Sequence, residues 1–117
     1  MVVDRTDLVQ ASLIGEALDR GPLLVFVADE TMRYLAVNQL ACETLGYERE
    51  ELLRMRVSDV AKAAEAPDLY EQMLREAAQR GQTDLRRKDG STVRFTYWAR
   101  ETRTAGMTFW VSAGYVE

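Results

Sequence analysis

Few residues of this chain could carry out chemistry, and their types argue against catalysis. The 117 residues include no histidine, which is the usual general base at neutral pH. Glu50 and Glu51 are adjacent, so on a helix they point to different faces and do not form an acid–base pair. Lys62 and Tyr97 have no sequence neighbours that suggest a substrate. The sequence therefore predicts a protein that is not an enzyme.

Metal and nucleic-acid sites are not indicated either. No group of Cys, Asp or Glu residues has the spacing of metal ligands, and no glycine-rich loop could hold a phosphate. The formal net charge of -4 opposes binding to a phosphate backbone, which requires a dense basic face. Acidic residues predominate before residue 80 and basic residues after it, so a head-to-tail contact between copies stays open. We expect no metal and no nucleic-acid partner.

The single cysteine and the apolar stretches predict the compartment. Cys42 has no partner for an internal disulfide and is predicted to be a small buried core residue. The opening Met-Val-Val-Asp-Arg-Thr-Asp lacks the basic segment and apolar run of a secretory signal. The longest apolar stretch, Pro22 to Ala28, is too short to cross a bilayer. We expect a cytoplasmic location and no membrane contact, although a membrane-anchored parent protein stays open.

Hydrophobic periodicity predicts the elements of the first third of the chain. Apolar residues recur at helical spacing from Leu8 to Leu18, which indicates an amphipathic helix that Gly21-Pro22 would end. The continuous apolar run from Leu23 to Ala28 is typical of a buried strand. Arg33 to Val37 follows as the strand that pairs with it.

Short helices and a meander of strands are predicted for the rest. Asn38 predicts the N-cap of a short helix that closes at Gly46. Further brief helices are expected within residues 48–61, and a longer helix would begin at Pro67 and end at Gly81. Three strands follow, from Gln82 to Lys88, Ser91 to Arg100 and Met107 to Val116, joined by a type I′ turn at Asp89-Gly90 and a second turn at Thr104 to Gly106.

This order of elements predicts an α+β fold. The expected architecture is a five-stranded antiparallel sheet with short helices on one face and an N-terminal amphipathic helix. We place the domain at residues 22–117 and interpret residues 1–21 as a flanking helix. The sheet and the helices would enclose one apolar space, which is either a filled core or a ligand pocket.

Three segments resemble the PAS domain family. Ala28 to Tyr47 is similar to its opening signature, in which a strand ends in Asp, a second strand ends in Asn and a helix closes in Gly-Tyr. Glu50 to Leu53 continues the resemblance, and Arg87 to Ser91 is similar to the late hairpin of the family. The resemblance covers about residues 22–116 and implies the PAS fold.

The resemblance also implies a role. PAS domains are sensory modules that bind small molecules or pair with one another, and pass a change to an effector such as a histidine kinase or a transcription regulator. Two positions depart from the pattern. Glu30-Thr31 replaces a glycine that is common in the first turn, and Gly114 to Val116 replaces the usual Asp-Ile-Thr-like exit. The second departure leaves the attachment of an effector domain open.

No cofactor is predicted from the resemblance. Haem-binding PAS domains commonly ligate iron through histidine, which this chain lacks, so a His-ligated haem is excluded. Flavin photosensors use a cysteine within an Asn-Cys-Arg-Phe-Leu-Gln-like helix, whereas Cys42 lies in an earlier helix within Leu40 to Thr44. The coumarate-binding branch needs a thiol where this chain has Val60 to Ala64. Covalent flavin is therefore not expected, while noncovalent flavin or an unknown small metabolite stays open.

A pocket could form where the sheet faces the helices. A methionine, a tyrosine hydroxyl and aliphatic side chains would combine apolar walls with a few polar groups, as small-molecule sites do. The predicted lining is Val25, Val27, Leu52, Val60, Leu69, Met73, Phe95, Tyr97 and Val111.

The other face of the sheet is a candidate interface. Trp98 lies on that face, and the N-terminal helix presents Val9, Leu13 and Ala17, which could cover it within one chain or across a symmetric pair. We expect a homodimer. The alternative is a ligand-free adaptor domain that recognises a different protein through an exposed sheet edge.

Overall fold

The computed structural model describes residues 5–61 and 78–117, which form one antiparallel sheet and four helices. The elements are α1 (Arg5–Asp19), β1 (Leu24–Ala28), β2 (Tyr34–Val37), α2 (Gln39–Leu45), α3 (Arg49–Leu52), α4 (Val57–Val60), β3 (Ala78–Arg86), β4 (Thr92–Thr104) and β5 (Met107–Val116). The five strands lie in the order β2-β1-β5-β4-β3. The predicted α+β fold is confirmed, because the N-terminal and C-terminal strands join in a single sheet.

Alternation along the strands creates one buried face. In β4, Val93, Phe95, Tyr97 and Ala99 are buried, whereas the residues between them are more exposed. Side chains of a strand point alternately to its two faces, so the buried set shares one face. We call this the inner face; its core also includes buried side chains of the short helices, namely Ala41, Cys42, Leu45, Leu52 and Val60.

Pairing between β1 and β5 joins the two N-terminal strands to the three C-terminal strands. Leu24 lies opposite Gly114 and Ala28 opposite Trp110, so the first strand pairs with the last. The crossover from β2 to β3 carries the short helices onto the inner face, since α2 contacts β1 and α4 contacts β3. The space between these helices and the sheet is where a site could form.

The turn at Asp89-Gly90 differs from the prediction. A type I′ turn needs positive φ at two successive residues, but here Gly90 has a φ of 90° and Asp89 does not share it. The Gly90 N–H donates to Arg87 O at 3.0 Å. The Asp89 carboxylate accepts from the Ser91 N–H at 2.9 Å and hydroxyl at 2.6 Å, which holds a longer loop with a left-handed glycine. The predicted type I′ turn is therefore wrong.

Gly81 does not end a helix. It lies inside β3 opposite Tyr97, and a Cβ at this position would stand 2.8 Å from the Tyr97 hydroxyl oxygen. The glycine is needed because the tyrosine ring crosses over the strand. The body of the predicted helix, from Pro67 to Ala77, lies outside the described residues, and β3 begins at Ala78 rather than at Gln82.

Candidate functional site

An apolar cavity of about 70 Å³ lies between the inner face of the sheet and the helices. Its described lining is Phe26, Ala28, Met32, Tyr34, Val57, Ala61, Thr83, Leu85, Phe95, Tyr97, Ala99, Trp110 and Ser112. All five strands contribute to this lining, and α4 with the residue after it supplies the opposite wall. None of these side chains carries a formal charge.

Aromatic rings form much of the cavity wall. The Phe26 and Phe95 ring centroids are 5.6 Å apart in an edge-to-face arrangement, and Phe26 lies 5.5 Å from Tyr34. The Phe95 and Tyr97 rings are stacked at 5.5 Å. Trp110 completes this set from β5 and is buried. Aromatic pairs in these geometries are worth about 0.5–1.5 kcal/mol each beyond their burial, so the rings that form the wall also stabilise the core.

A few hydroxyl groups give the cavity its polar chemistry. Burial raises the pKa of the Tyr34 phenol, and the negative charge of Asp59 raises it further. The phenol therefore stays protonated at physiological pH and can donate a hydrogen bond. Thr83 and Ser112 add hydroxyl groups to the lining. The arrangement can hold an uncharged molecule, since an ion would find no counter-charge in the described lining.

Several residues predicted for the pocket lie at or near the cavity. Phe95 and Tyr97 line it. Leu52 and Val60 are fully buried in the core and support the cavity without lining it. Leu69 and Met73 lie outside the described residues.

Three other predicted residues are not in the lining. Val25 and Val27 alternate with the buried side chains of β1, and Val111 lies opposite Val27 in β5. All three are half-buried and belong to the face away from the helices, which we call the outer face. Their assignment to the pocket is corrected, because β1 is apolar on both faces and its sequence pattern does not distinguish them.

Sequence reasoning also missed lining residues, although a signal existed for part of them. Antiparallel pairing outward from the turn at Ala105 sets Ala99 opposite Ser112 and Glu101 opposite Trp110. Residues opposite each other share a face, so the alternation in β4 identifies Ser112 as an inner residue. No comparable pattern identified Phe26.

Asn38 is the N-cap of α2 and a buried junction between three elements. Its Oδ1 accepts from the Ala41 N–H at 3.1 Å and from the Val25 N–H at 3.0 Å. Its Nδ2 donates to Leu18 O at 2.6 Å and to Leu23 O at 2.7 Å. One amide thus ties the end of α1 and the start of β1 to the first turn of α2.

Two apolar surfaces remain open to solvent. On the outer face, Trp98 is 42% exposed and Tyr115 is 49% exposed. On α1, Val9, Leu13 and Ala17 are all exposed, with Leu13 at 59%. The helix therefore does not cover the outer face within its own chain, which removes one of the two arrangements that the sequence left open.

Some classes of site are absent from the part of the chain that the structure describes. Residues 5–61 and 78–117 hold no group of three or more His, Cys, Asp or Glu side chains that could hold a metal ion. Over the same residues, no helix combines the length and apolar character that crossing a bilayer requires.

Known proteins resemble this chain in fold. Structures with the same fold include a PAS domain from a two-component sensor histidine kinase, with 16% identity, a TM-score of 0.84 and coverage of 94% of this chain and 98% of that one. The PAS domain of an HTR-like protein from Haloarcula marismortui has 19% identity and a TM-score of 0.83, with 94% and 93% covered. Drosophila melanogaster Cycle PAS-B, with bound ethylene glycol, has 13% identity and a TM-score of 0.71, with 80% and 99% covered.

Sequence comparison gives the family. No curated protein matches the chain significantly. The profile described as PAS domain matches residues 22–113, which is most of the chain and includes β1, β2, α2 and most of the meander. The chain belongs to the PAS domain family.

Proposed function

We propose that this chain is a non-catalytic sensory module that binds a small uncharged molecule in the cavity. We further propose that it is cytoplasmic, forms a homodimer and relays to an effector such as a histidine kinase or a transcription regulator. The observation that carries the proposal is the cavity itself, with aromatic walls, hydroxyl groups and no charged side chain in its described lining. The fold neighbours from sensor kinases are consistent with this role.

The cavity chemistry supports a small ligand. Sites for drug-sized molecules measure about 300–1,000 Å³, so a cavity of about 70 Å³ suits a molecule of only a few heavy atoms. The Tyr34 hydroxyl would donate to an ether, carbonyl or hydroxyl oxygen. Solved forms of Cycle PAS-B contain ethylene glycol or glycerol. Short alcohols, glycols and ketones are therefore the first compounds to test.

Native mass spectrometry and thermal shifts test ligand binding. We expect either a co-purified small molecule or a rise in melting temperature with one compound of the panel. Ala99 lines the cavity, so Ala99→Leu should abolish the response by filling the space. Ala113 lies on the outer face, and Ala113→Leu is the matched control that keeps the response. A protein that is empty, and unresponsive to the whole panel, would remove the ligand from the proposal.

The two exposed apolar surfaces support the homodimer. A contact between α1 of one copy and the outer face of the other would bury both, and a two-fold axis would repeat the contact. The outer face also carries Arg80 and Arg100, while α1 carries Glu16, so the charges of the two surfaces are complementary.

Sedimentation of the full chain tests the homodimer. We expect a dimer that dissociates with Leu13→Asp and also with a chain that starts at Pro22. Ser12→Asp adds the same charge at the neighbouring polar position and should leave the dimer intact. If the wild-type chain is monomeric and a pull-down returns one heterologous partner, the adaptor alternative replaces the homodimer.

A further inference from the structure

The C-terminal end of α1 is bound to residues that lie far along the chain. Leu18 O accepts from Asn38 Nδ2 at 2.6 Å. Asp19 Oδ1 accepts from the Gln39 N–H at 3.0 Å and from an Arg49 guanidinium nitrogen at 2.9 Å. We call these five residues the α1 latch.

The latch joins α1 to the helices of the inner face. Gln39 is the first residue of α2, and Arg49 is the first residue of α3. Arg49 Nε also donates to Val37 O at 3.2 Å, which is the last carbonyl of β2. One guanidinium therefore binds both the end of α1 and the end of an edge strand. A shift of α3, which carries Arg49, would displace the end of α1.

Burial holds little of α1 between Leu8 and Leu18. Every side chain from Leu8 to Leu18 is exposed, so this part of the helix buries no side chain against the sheet. The direction in which α1 leaves the domain must then be set at its C-terminal end.

The latch has two parts that differ in exposure. Asn38 is buried, and its side-chain hydrogen bonds are buried or part-buried. The Asp19 and Arg49 side chains are 42% and 41% exposed, so dissolved ions reach their ion pair. Exposed ion pairs are weak and are screened by salt. The first part is a fixed pivot, and the second is the part that can open.

We propose that the Asp19–Arg49 pair is the releasable part of the α1 latch and fixes the direction of α1 about the Asn38 pivot. When the pair is closed, α1 is a rigid arm of the domain. When it opens, α1 swings while the sheet and the pivot stay intact. This device is independent of whether the cavity binds a ligand.

Residual dipolar couplings of backbone amides in the full chain test the latch, because they report the orientation of α1 relative to the sheet. In the wild-type protein at low salt, we expect couplings of residues 8–18 to fit the same alignment as those of β4 and β5. Arg49→Gln keeps the Gln39 N–H bond to Asp19 and should shrink the α1 couplings, and Asp19→Ala removes both bonds and should shrink them further. Both variants should leave the sheet couplings unchanged. Arg94→Gln removes an exposed ion pair on the sheet and is the matched control, with no effect on α1.

Salt provides a second test, in which Arg49→Gln is the reference. Raising the salt concentration to about 1 M shortens the screening length to about 3 Å, and should shrink the wild-type α1 couplings while those of Arg49→Gln stay as they are. Adding Leu13→Asp to every protein keeps α1 from being held by a second copy. Unchanged α1 couplings in Arg49→Gln and in high salt would overturn the proposal, as would wild-type couplings that are already averaged at low salt.

Discussion

Asn38 forms hydrogen bonds through both the oxygen and the nitrogen of its side-chain amide. The effect of substituting this residue follows from the loss of both sets of bonds. Asn38→Ala removes the cap of α2 and also leaves Leu18 O and Leu23 O without a side-chain donor. A cap alone is worth about 1 kcal/mol, and each buried group left without a partner adds about 1–3 kcal/mol. We expect the free energy of unfolding to fall by about 2 kcal/mol or more.

Urea unfolding measures that change. Gln39→Ala is the control, because Gln39 contributes only its backbone N–H to the junction and its side chain bonds Glu43 at the surface. A stability of Asn38→Ala equal to that of the control would show that the amide does not hold these elements together.

Gly81 makes room for the Tyr97 ring. A Cβ there would meet the hydroxyl oxygen at 2.8 Å and the adjacent ring carbon at 3.0 Å. Gly81→Ala should therefore displace the ring toward the cavity and destabilise the protein by about 1–3 kcal/mol, as overpacking does.

Thermal unfolding and the tyrosine ring resonances report both effects of Gly81→Ala. The contrasting variant is Gly15→Ala in the exposed helix α1, where a Cβ meets nothing within 4 Å. Alanine is favoured over glycine in a helix by about 1 kcal/mol, so this variant should be neutral or stabilising. If Gly81→Ala behaves in the same way, the contact with Tyr97 does not constrain the strand.

At the scale of the strand, truncating a side chain should destabilise the protein much more on one face of β1 than on the other. Phe26 packs on two aromatic rings of the inner face, whereas its neighbour Val27 is half-buried on the outer face. Phe26→Ala should cost about 3–5 kcal/mol. Val27→Ala should cost only a fraction of that. Chemical denaturation of both variants checks the assignment, and a larger loss for Val27→Ala would reverse the faces.

Local signals predicted most of the elements. Asn38 and Gly46 bracket α2 because capping chemistry depends on adjacent residues, and the alternation from Val93 to Ala99 identified the buried face of β4. The sequence also predicted Phe95 and Tyr97 as cavity residues for that reason.

The rest depended on contacts that no local pattern records. The faces of β1 are set by pairing with β5, which lies at the other end of the chain. Gly81 was mistaken for a helix end because the reason for the glycine is the Tyr97 ring on the neighbouring strand. The junction at Asn38 was predicted only as a cap, since its bonds to Leu18 and Leu23 require the folded arrangement of α1.

At the scale of the whole molecule, we expect the stability of the fold to depend on pH mainly in the acidic range. Burial raises the pKa of Asp29, but hydrogen bonds from Thr31 and Arg33 lower it by more, so the net pKa lies below the ordinary 3.8. The Ser91 hydroxyl and N–H lower the pKa of Asp89, and a hydrogen bond from the Glu48 N–H, followed by Lys88, lowers that of Glu51. Two turns and the start of α3 are held by ionised carboxylates.

The direction of the pH effect follows from these lowered values. A carboxylate with a lowered pKa in the folded state adds stability above its unfolded pKa, and that stability is lost as the pH falls through the folded pKa. The unfolded values are 3.8 for Asp and 4.5 for Glu. We expect the melting temperature to be level from about pH 5.5 to 8 and to fall below about pH 4.5.

A melting-temperature series across that pH range checks the prediction. No histidine titrates near neutral pH, and burial raises the pKa of the Cys42 thiol away from that region. Asp89→Asn keeps one acceptor oxygen and should reduce the acid-induced fall. A steep step in stability between pH 6 and 7 would contradict the assignment.

The ring-lined wall has a spectroscopic consequence. Circulating π electrons in Phe26, Phe95, Tyr97 and Trp110 alter the local magnetic field inside the cavity, so protons of any molecule that enters would resonate away from their free positions. The methyl resonances of Ala28 and Ala99, which lie in the same wall, would also change when a molecule binds. Binding of a molecule in the cavity should therefore be visible in an ordinary proton NMR spectrum, without isotope labelling of the protein or the ligand.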